Sequence, residues 1–116
     1  MVIKKAQEIY KNKNLLKITN DPNMAVAGAN VLYTDVWSSM GEENQKEKKD
    51  KDFNGFTIDN NLVSKADKDV IVLHCLPAYR SKEITDEVFE SKKNRIFNQA
   101  ENRMHVQQAL LSCLLY

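Results

Sequence analysis

The alternation of apolar runs with helical patterns predicts an α/β fold, a parallel sheet of about four strands with helices on both faces, as in Rossmann-like domains. Two short runs indicate buried strands, Val31–Thr34 and Val70–Leu73. The second run is apolar throughout, as expected for a strand that is covered on both faces. With 116 residues, the chain is long enough for one domain with a sizeable core.

In the first half of the chain, residues 2–12 have the periodicity of an amphipathic helix. Residues 15–19 are a candidate for a short strand. Asp21 followed by Pro22 is typical of a helix N-cap and first helical residue, and Gly28 is expected at the end of that helix.

In the second half, the charged run 42–52 is predicted to be helical or mobile, and a helical turn is expected at 62–66. Thr85 should cap a helix that ends near Glu90. Arg95–Phe97 is predicted as a last short strand. The final helix should begin near Asn98 and carry one apolar stripe, formed by Val106, Ala109, Leu110, Cys113 and Leu114.

Composition excludes several classes of protein. The net charge is +1, so no overall field favours nucleic acid or a membrane surface, and no apolar run approaches the ~20 residues of a membrane span. The first residues lack the apolar core of a secretory signal. Cys75 and Cys113 form no disulfide or zinc-binding pattern and are typical of free thiols, which favours a cytoplasmic location.

Three polar segments follow the predicted strands, and this placement is the strongest structural argument for a binding site. Ligands of open parallel sheets bind outside the carboxyl ends of the strands. Asp35, the pair His74-Cys75 and the segment 98–103 all come directly after a predicted strand. If the sheet is parallel, all three segments lie along one edge.

The segment from Asp35 to Gly41 has two interpretations. The carboxylate of Asp35 could pair with a ligand ammonium, Ser39 could hydrogen-bond the ligand, and Gly41 would let backbone amides approach a ligand carboxylate. The alternative is a turn initiated by Asp35, with Trp37 packed beneath it.

The segment His74-Cys75-Leu76-Pro77 could provide a nucleophile, a ligand contact or a small apolar filler through Cys75. A Cys–His nucleophilic pair is disfavoured, because neighbouring strand residues point to opposite faces. Leu76 precedes proline and is expected to be extended, with its carbonyl available to a ligand amide. A cis bond at Pro77 would fix that presentation more firmly.

The spacing of Asn98 and Glu101 is typical of a helix start, which would place Arg103 near the positive end of the helix dipole. A bound phosphate would make that position favourable for Arg103, whereas the alternative is a surface pair with Glu101. The charged run beyond Gly41 is either a solvated face or a mobile lid. A dinucleotide site is not supported, since the chain contains no Gly-x-Gly-x-x-Gly motif.

Together these segments resemble the ornithine carbamoyltransferases. The motifs that carry the resemblance occur in the family's order and at about its spacing, as Thr34-Asp35-Val36-Trp37-Ser38-Ser39-Met40-Gly41, His74-Cys75-Leu76-Pro77-Ala78-Tyr79-Arg80 and Ala100-Glu101-Asn102-Arg103-Met104-His105. The similarity spans nearly the whole chain and implies the second, ornithine-binding domain of the transcarbamoylase fold with its C-terminal helix, over residues 1–116.

The resemblance implies transfer of a carbamoyl group from carbamoyl phosphate to the side-chain amine of L-ornithine, giving citrulline and phosphate without a metal or organic cofactor. Asp35, Ser39 and Met40 would hold ornithine, and Cys75 with Asp35 would act at the reacting amine. The carbonyls of Cys75 and Leu76, together with Arg103, would contact carbamoyl phosphate. His74 belongs to the motif but receives no chemical role.

The phosphate loop Ser-Thr-Arg-Thr and the His-Pro-x-Gln segment of the family's N-terminal, carbamoyl-phosphate domain do not occur here, and Ser81 stands where many relatives have Gly. We therefore expect the chain alone to be inactive and to bind ornithine weakly or not at all. The family forms homotrimers, with active sites at subunit interfaces. The alternatives are a transcarbamoylase for another amine, such as putrescine or an acetylated ornithine, and a stand-alone amino-acid-binding module.

Overall fold

The computed structural model describes residues 2–9, 15–38, 41 and 43–115. Its elements occur in the order α1 (Val2–Ile9), α2 (Pro22–Val26), β1 (Val31–Thr34), a 3₁₀ turn (Glu43–Gln45), α3 (Lys46–Asp52), α4 (Asn60–Ser64), β2 (Ile71–His74), α5 (Asp86–Phe89) and α6 (Ile96–Leu115). The strands β1 and β2 are parallel and pair in register from Val31 with Ile71 to Thr34 with His74. This confirms the predicted parallel α/β arrangement.

The described residues form two strands rather than about four. Residues 15–19 are not a strand, and Leu15 and Ile18 expose more than half of their surface. The predicted strand at 95–97 is also wrong. Asn94 makes a single parallel bridge with Val72, and the chain then turns into α6 because the Asn94 side-chain oxygen accepts a hydrogen bond from Ile96 N–H at 2.6 Å.

The hydrophobic core lies on the sheet face from which Leu32, Val72 and His74 project. Helices α2, α4 and α5 contribute apolar side chains to it, and Ile96 at the start of α6 is fully buried. The opposite face carries Tyr33 and borders an open cavity along α6, so this face is only partly covered, unlike the prediction for β2.

Local capping explains where the short helices begin. Asp21 accepts a hydrogen bond from Asn23 N–H before α2, and Thr85 accepts one from Val88 N–H before α5, as the sequence predicts. Gly28 follows α2 with φ +70°, a conformation suited to glycine at a helix end. The predicted turn at 62–66 lies slightly earlier, as α4, because Asp59 caps it.

Candidate active site

The carboxyl ends of the two strands bring Asp35 and Cys75 together. The Cys75 thiol donates a hydrogen bond to Asp35 Oδ1 at 2.8 Å, across 40 residues of sequence. This bond lowers the pKa of the Asp35 carboxyl below its ordinary value of 3.8, and the hydrogen bond from Val36 N–H acts in the same direction. The site therefore presents an ionised carboxylate beside a thiol.

The Cys75 thiol is held in its protonated form. Desolvation raises its pKa above the ordinary value of 9.0, and the hydrogen bond and negative charge of Asp35 raise the pKa further. An interaction with the Tyr33 hydroxyl acts in the opposite direction. Because the thiolate is the reactive form, this environment favours a positioning or hydrogen-bonding role for Cys75 over a nucleophilic one.

Arg103 reaches the same place from α6. A cavity of about 310 Å³ lies between the two strand ends and this helix, and its lining includes Asp35, Ser38, Cys75, Leu76 and Arg103. The predicted convergence of the three polar segments is therefore confirmed. Ser39 and Met40, the other predicted ornithine contacts, lie outside the described residues.

Arg103 does not sit at the helix N-terminus. Because α6 begins at Ile96, Arg103 is its eighth residue, beyond the first turn in which the helix dipole acts. Within the described chain no ion pair joins Arg103 to a carboxylate, and Glu101 instead lies 3.5 Å from His105. Arg103 thus offers a guanidinium to the cavity, where it can bind an anion without help from the dipole.

His74 points away from the thiol, as the strand geometry predicts. Its side chain is fully buried, and Nε2 lies 3.1 Å from Glu83 Oε1. Its Nδ1 accepts a hydrogen bond from Leu76 N–H at 2.8 Å, which assigns the ring proton to Nε2. The His74 ring is therefore directed away from the Cys75 thiol and instead supports the loop that follows β2.

Leu76 is not extended. Its φ is +58°, in the left-handed region that leucine rarely adopts, and its N–H turns inward to His74. The Leu76–Pro77 peptide bond is cis. The loop is also held by Tyr79 N–H, which donates to Glu83 Oε1 at 2.5 Å. These hydrogen bonds override the extended conformation that is expected of a residue before proline.

Sequence reasoning missed Glu83, whose side chain is fully buried. One carboxylate oxygen holds both His74 and the Tyr79 amide, while the other, Oε2, is buried without a hydrogen-bond partner among the described residues. A single glutamate in a polar loop carries no periodic signal, so only the tertiary structure reveals it.

Trp37 is packed, as expected from the interpretation of its segment as a turn initiated by Asp35. Its ring stacks on Phe53 with centroids 6.1 Å apart, which attaches the loop after β1 to the residue that follows α3. Gly41 has φ +89°, where a residue with a side chain would be strained. The charged segment is also anchored, because Lys82 Nζ lies 2.6 Å from Asp50 Oδ2.

Arg80, the last residue of the second motif, binds at the surface rather than in the cavity. Its guanidinium contacts Asp86 at 2.9 Å and Glu90 at 2.5 Å, and it lies over the Phe89 ring at 4.3 Å from the centroid. These contacts fasten the loop 78–84 to α5, and the two carboxylates raise the pKa of Arg80.

Of the helices in the described ranges, none is both long enough and apolar enough to cross a membrane.

Comparison with known proteins identifies the family of the chain. Residues 1–114 match the family model described as aspartate/ornithine carbamoyltransferase, Asp/Orn binding domain. The ornithine carbamoyltransferase of Prochlorococcus marinus subsp. pastoris is 88% identical over 116 residues, which cover all of this chain and 38% of that protein. The one from Nostoc sp. is 49% identical over 114 residues, covering 98% and 37%.

A solved structure shares the fold. The ornithine carbamoyltransferase of Pyrococcus furiosus superposes with a TM-score of 0.83 at 43% identity, over 96% of this chain and 36% of that one. The chain thus spans little more than a third of the length of the relatives that it matches.

Proposed function

This chain belongs to the aspartate/ornithine carbamoyltransferase family, whose Asp/Orn binding domain model it matches, and we propose that within a full-length enzyme it binds L-ornithine and takes part in carbamoyl transfer. The observation that carries the proposal is the 2.8 Å contact between Asp35 and Cys75 at the strand ends, with Arg103 lining the same cavity. The proposed products are citrulline and phosphate.

The charges of the cavity suit the two substrates. The carboxylate of Asp35 can pair with the α-ammonium of ornithine, and Ser39 and the backbone around Met40 would take its carboxylate. Cys75 would lie beside the reacting amine. Arg103 and the backbone carbonyls of Cys75 and Leu76 would bind carbamoyl phosphate, the guanidinium at its anionic oxygens and the carbonyls at its amide N–H groups.

In the proposed reaction, the neutral side-chain amine forms a bond to the carbamoyl carbon, the bond from that carbon to the phosphate oxygen breaks, and the proton lost by the amine nitrogen goes to the departing phosphate. The free amine has a pKa near 10.4, so the site must favour its neutral form. Holding both substrates in line supplies much of the acceleration, and Arg103 stabilises charge on the departing phosphate.

The proposal assigns only part of an active site to this chain. Since the chain covers 38% of its Prochlorococcus relative, we propose that the remaining contacts to carbamoyl phosphate come from a separate N-terminal domain. The full-length enzyme is proposed to be a cytoplasmic homotrimer. The chain alone should form no citrulline and should bind ornithine weakly or not at all.

A chimera tests the proposal. The 116 residues replace the segment they align with in the Prochlorococcus enzyme, and citrulline formation is measured. We expect turnover with ornithine, a loss of about 100-fold or more in the Asp35→Ala variant, and little change in Asp69→Ala, whose side chain is exposed. A folded chimera that binds carbamoyl phosphate but makes no citrulline contradicts the proposal, and a preference for putrescine or acetylated ornithine supports another transcarbamoylase.

Calorimetry on the 116-residue chain, with and without carbamoyl phosphate, measures how much recognition this domain retains. Saturable ornithine binding that disappears in Asp35→Ala would show a preformed half-site. Measurable citrulline formation by the unaided chain would refute the division of the active site between two domains.

A further inference from the structure

The side chain of Gln99 joins three elements at the edge of the candidate site. Its Oε1 accepts a hydrogen bond from His74 N–H at 3.1 Å, at the end of β2. Its Nε2 donates to the Tyr33 hydroxyl at 3.1 Å, near the end of β1. Gln99 itself is the fourth residue of α6. Because one end accepts and the other donates, these two partners assign the orientation of the amide.

Gln99, with its two hydrogen bonds to the strand ends, lies one helical turn before Arg103. Residues four apart lie on the same face of a helix, so the side that Gln99 attaches to the strand ends is also the side that carries Arg103. Tyr33, Cys75, Gln99 and Arg103 line one continuous cavity of about 1090 Å³. The two bonds of Gln99 therefore set where the guanidinium stands relative to the thiol.

The hydrogen bond from Gln99 also determines whether the Tyr33 hydroxyl can act as a donor. A phenol that accepts a hydrogen bond from Gln99 keeps its own proton free to donate elsewhere. Tyr33 pairs with Leu73, two residues before Cys75, and both Tyr33 and Cys75 line the same cavity. The interaction with Tyr33 lowers the pKa of the thiol against the opposing effect of Asp35. Asp35 thus contacts Cys75 directly, and Tyr33 lines the cavity beside it.

We propose that Gln99 is a positioning residue that holds the Tyr33 hydroxyl in the cavity lined by Cys75 and fixes the helix face bearing Arg103. The inference rests on the proposed function, since the thiol and the guanidinium are the groups assigned there to the two substrates. Gln99 itself touches no reacting atom and acts through Tyr33 and through the placement of α6.

The charged and titratable groups around Cys75 are few in the described part of the chain. Asp35 contacts the sulfur directly at 2.8 Å, and Tyr33 and Arg103 line the cavity beside it. Arg95 and Tyr79 also line the cavities that contain Cys75. The neighbouring His74 ring is turned to Glu83, with its Nδ1 occupied by Leu76 N–H. A change at Gln99 should therefore reach the thiol by way of Tyr33.

The test is the pH profile of Cys75 alkylation by iodoacetamide, measured without substrates on the 116-residue chain carrying Cys113→Ser, so that Cys75 is the sole thiol. Both Tyr33→Phe and Gln99→Leu should move the profile to higher pH and slow alkylation severalfold at neutral pH. The double variant should shift no further than Tyr33→Phe alone, because Gln99 acts through Tyr33. Gln108→Leu, on the exposed part of α6, is the matched control.

A profile for Gln99→Leu that coincides with the parent, or shifts that add in full in the double variant, would overturn the inference. Should Gln99→Leu fail to fold in thermal melting, Gln99→Glu replaces it. That carboxylate can still accept a hydrogen bond from His74 N–H, but it also accepts one from the Tyr33 hydroxyl, whose proton is then no longer free for Cys75. The profile should again move to higher pH. Since no ornithine is present, failure of the proposed function would leave this result unaffected.

Discussion

At the scale of single residues, the pairing of Asp35 with Cys75 makes a pH-dependent prediction. Asp35 raises the pKa of the thiol by accepting its hydrogen bond and by its negative charge. Asp35→Asn removes the charge, so the thiolate should form at lower pH and alkylation at neutral pH should be faster. The measurement is the alkylation profile in the Cys113→Ser background. A profile that moves to higher pH would contradict the assignment, and Asp69→Asn is the control.

The buried pair of His74 and Glu83 makes a prediction about stability. Glu83→Ala leaves the buried His74 Nε2 and the part-buried Tyr79 N–H without their acceptor, which should lower the free energy of unfolding by about 3 kcal/mol or more. Glu83→Gln keeps an acceptor oxygen and should cost less. Both are measured by urea denaturation.

Glu87→Ala is the control for these two variants, because Glu87 is exposed in the adjacent helix α5 and should change stability little. Equal costs for Glu83→Ala and Glu87→Ala would mean that the buried network contributes nothing to holding the loop after β2.

At the scale of elements, the start of α6 depends on Asn94 rather than on Asn98. Asn94 binds Ile96 N–H through its oxygen and the Phe89 carbonyl through its nitrogen, while Asn98 lies exposed inside the helix. Asn94→Ala should therefore destabilise the chain by about 1–2 kcal/mol, whereas Asn98→Ala should be close to neutral. Thermal melting compares the two, and a larger loss for Asn98→Ala would restore the start predicted from sequence.

At the scale of the whole molecule, the chain exposes a continuous apolar face on α6. Val106, Leu110 and Leu114 are spaced four residues apart, and each exposes more than half of its surface. The apolar stripe predicted from sequence is thus present, but the described residues do not bury it. Such a surface favours association.

We predict that the purified chain associates as its concentration rises and that Leu110→Lys with Leu114→Lys reduces this association, as measured by sedimentation velocity. Gln108→Lys with Ser112→Lys adds the same charge to the same helix without removing apolar surface and should have a smaller effect. Equal sedimentation of both double variants would show that apolar contact on this face does not drive the association.

The sequence by itself determined the features that depend on neighbouring residues. The caps Asp21 and Thr85, the two strands and the polar residues after them follow from local hydrogen bonding and side-chain periodicity. The parallel pairing then brings Asp35 to Cys75, and that contact was predictable because the carboxyl ends of parallel strands share an edge.

Only the tertiary structure decided the features that depend on distant partners. The segment 15–19 has strand-like residues, but no strand among the described residues pairs with it, so its propensity has no ladder to complete. The amide of the left-handed Leu76 is bound by a His74 ring that Glu83 holds from nine positions along the chain. Gln99 acquires its role from His74 and Tyr33, which are 25 and 66 positions away. Such contacts leave no periodic trace in a sequence, since hydrogen bonds between buried polar groups are selected by three-dimensional proximity.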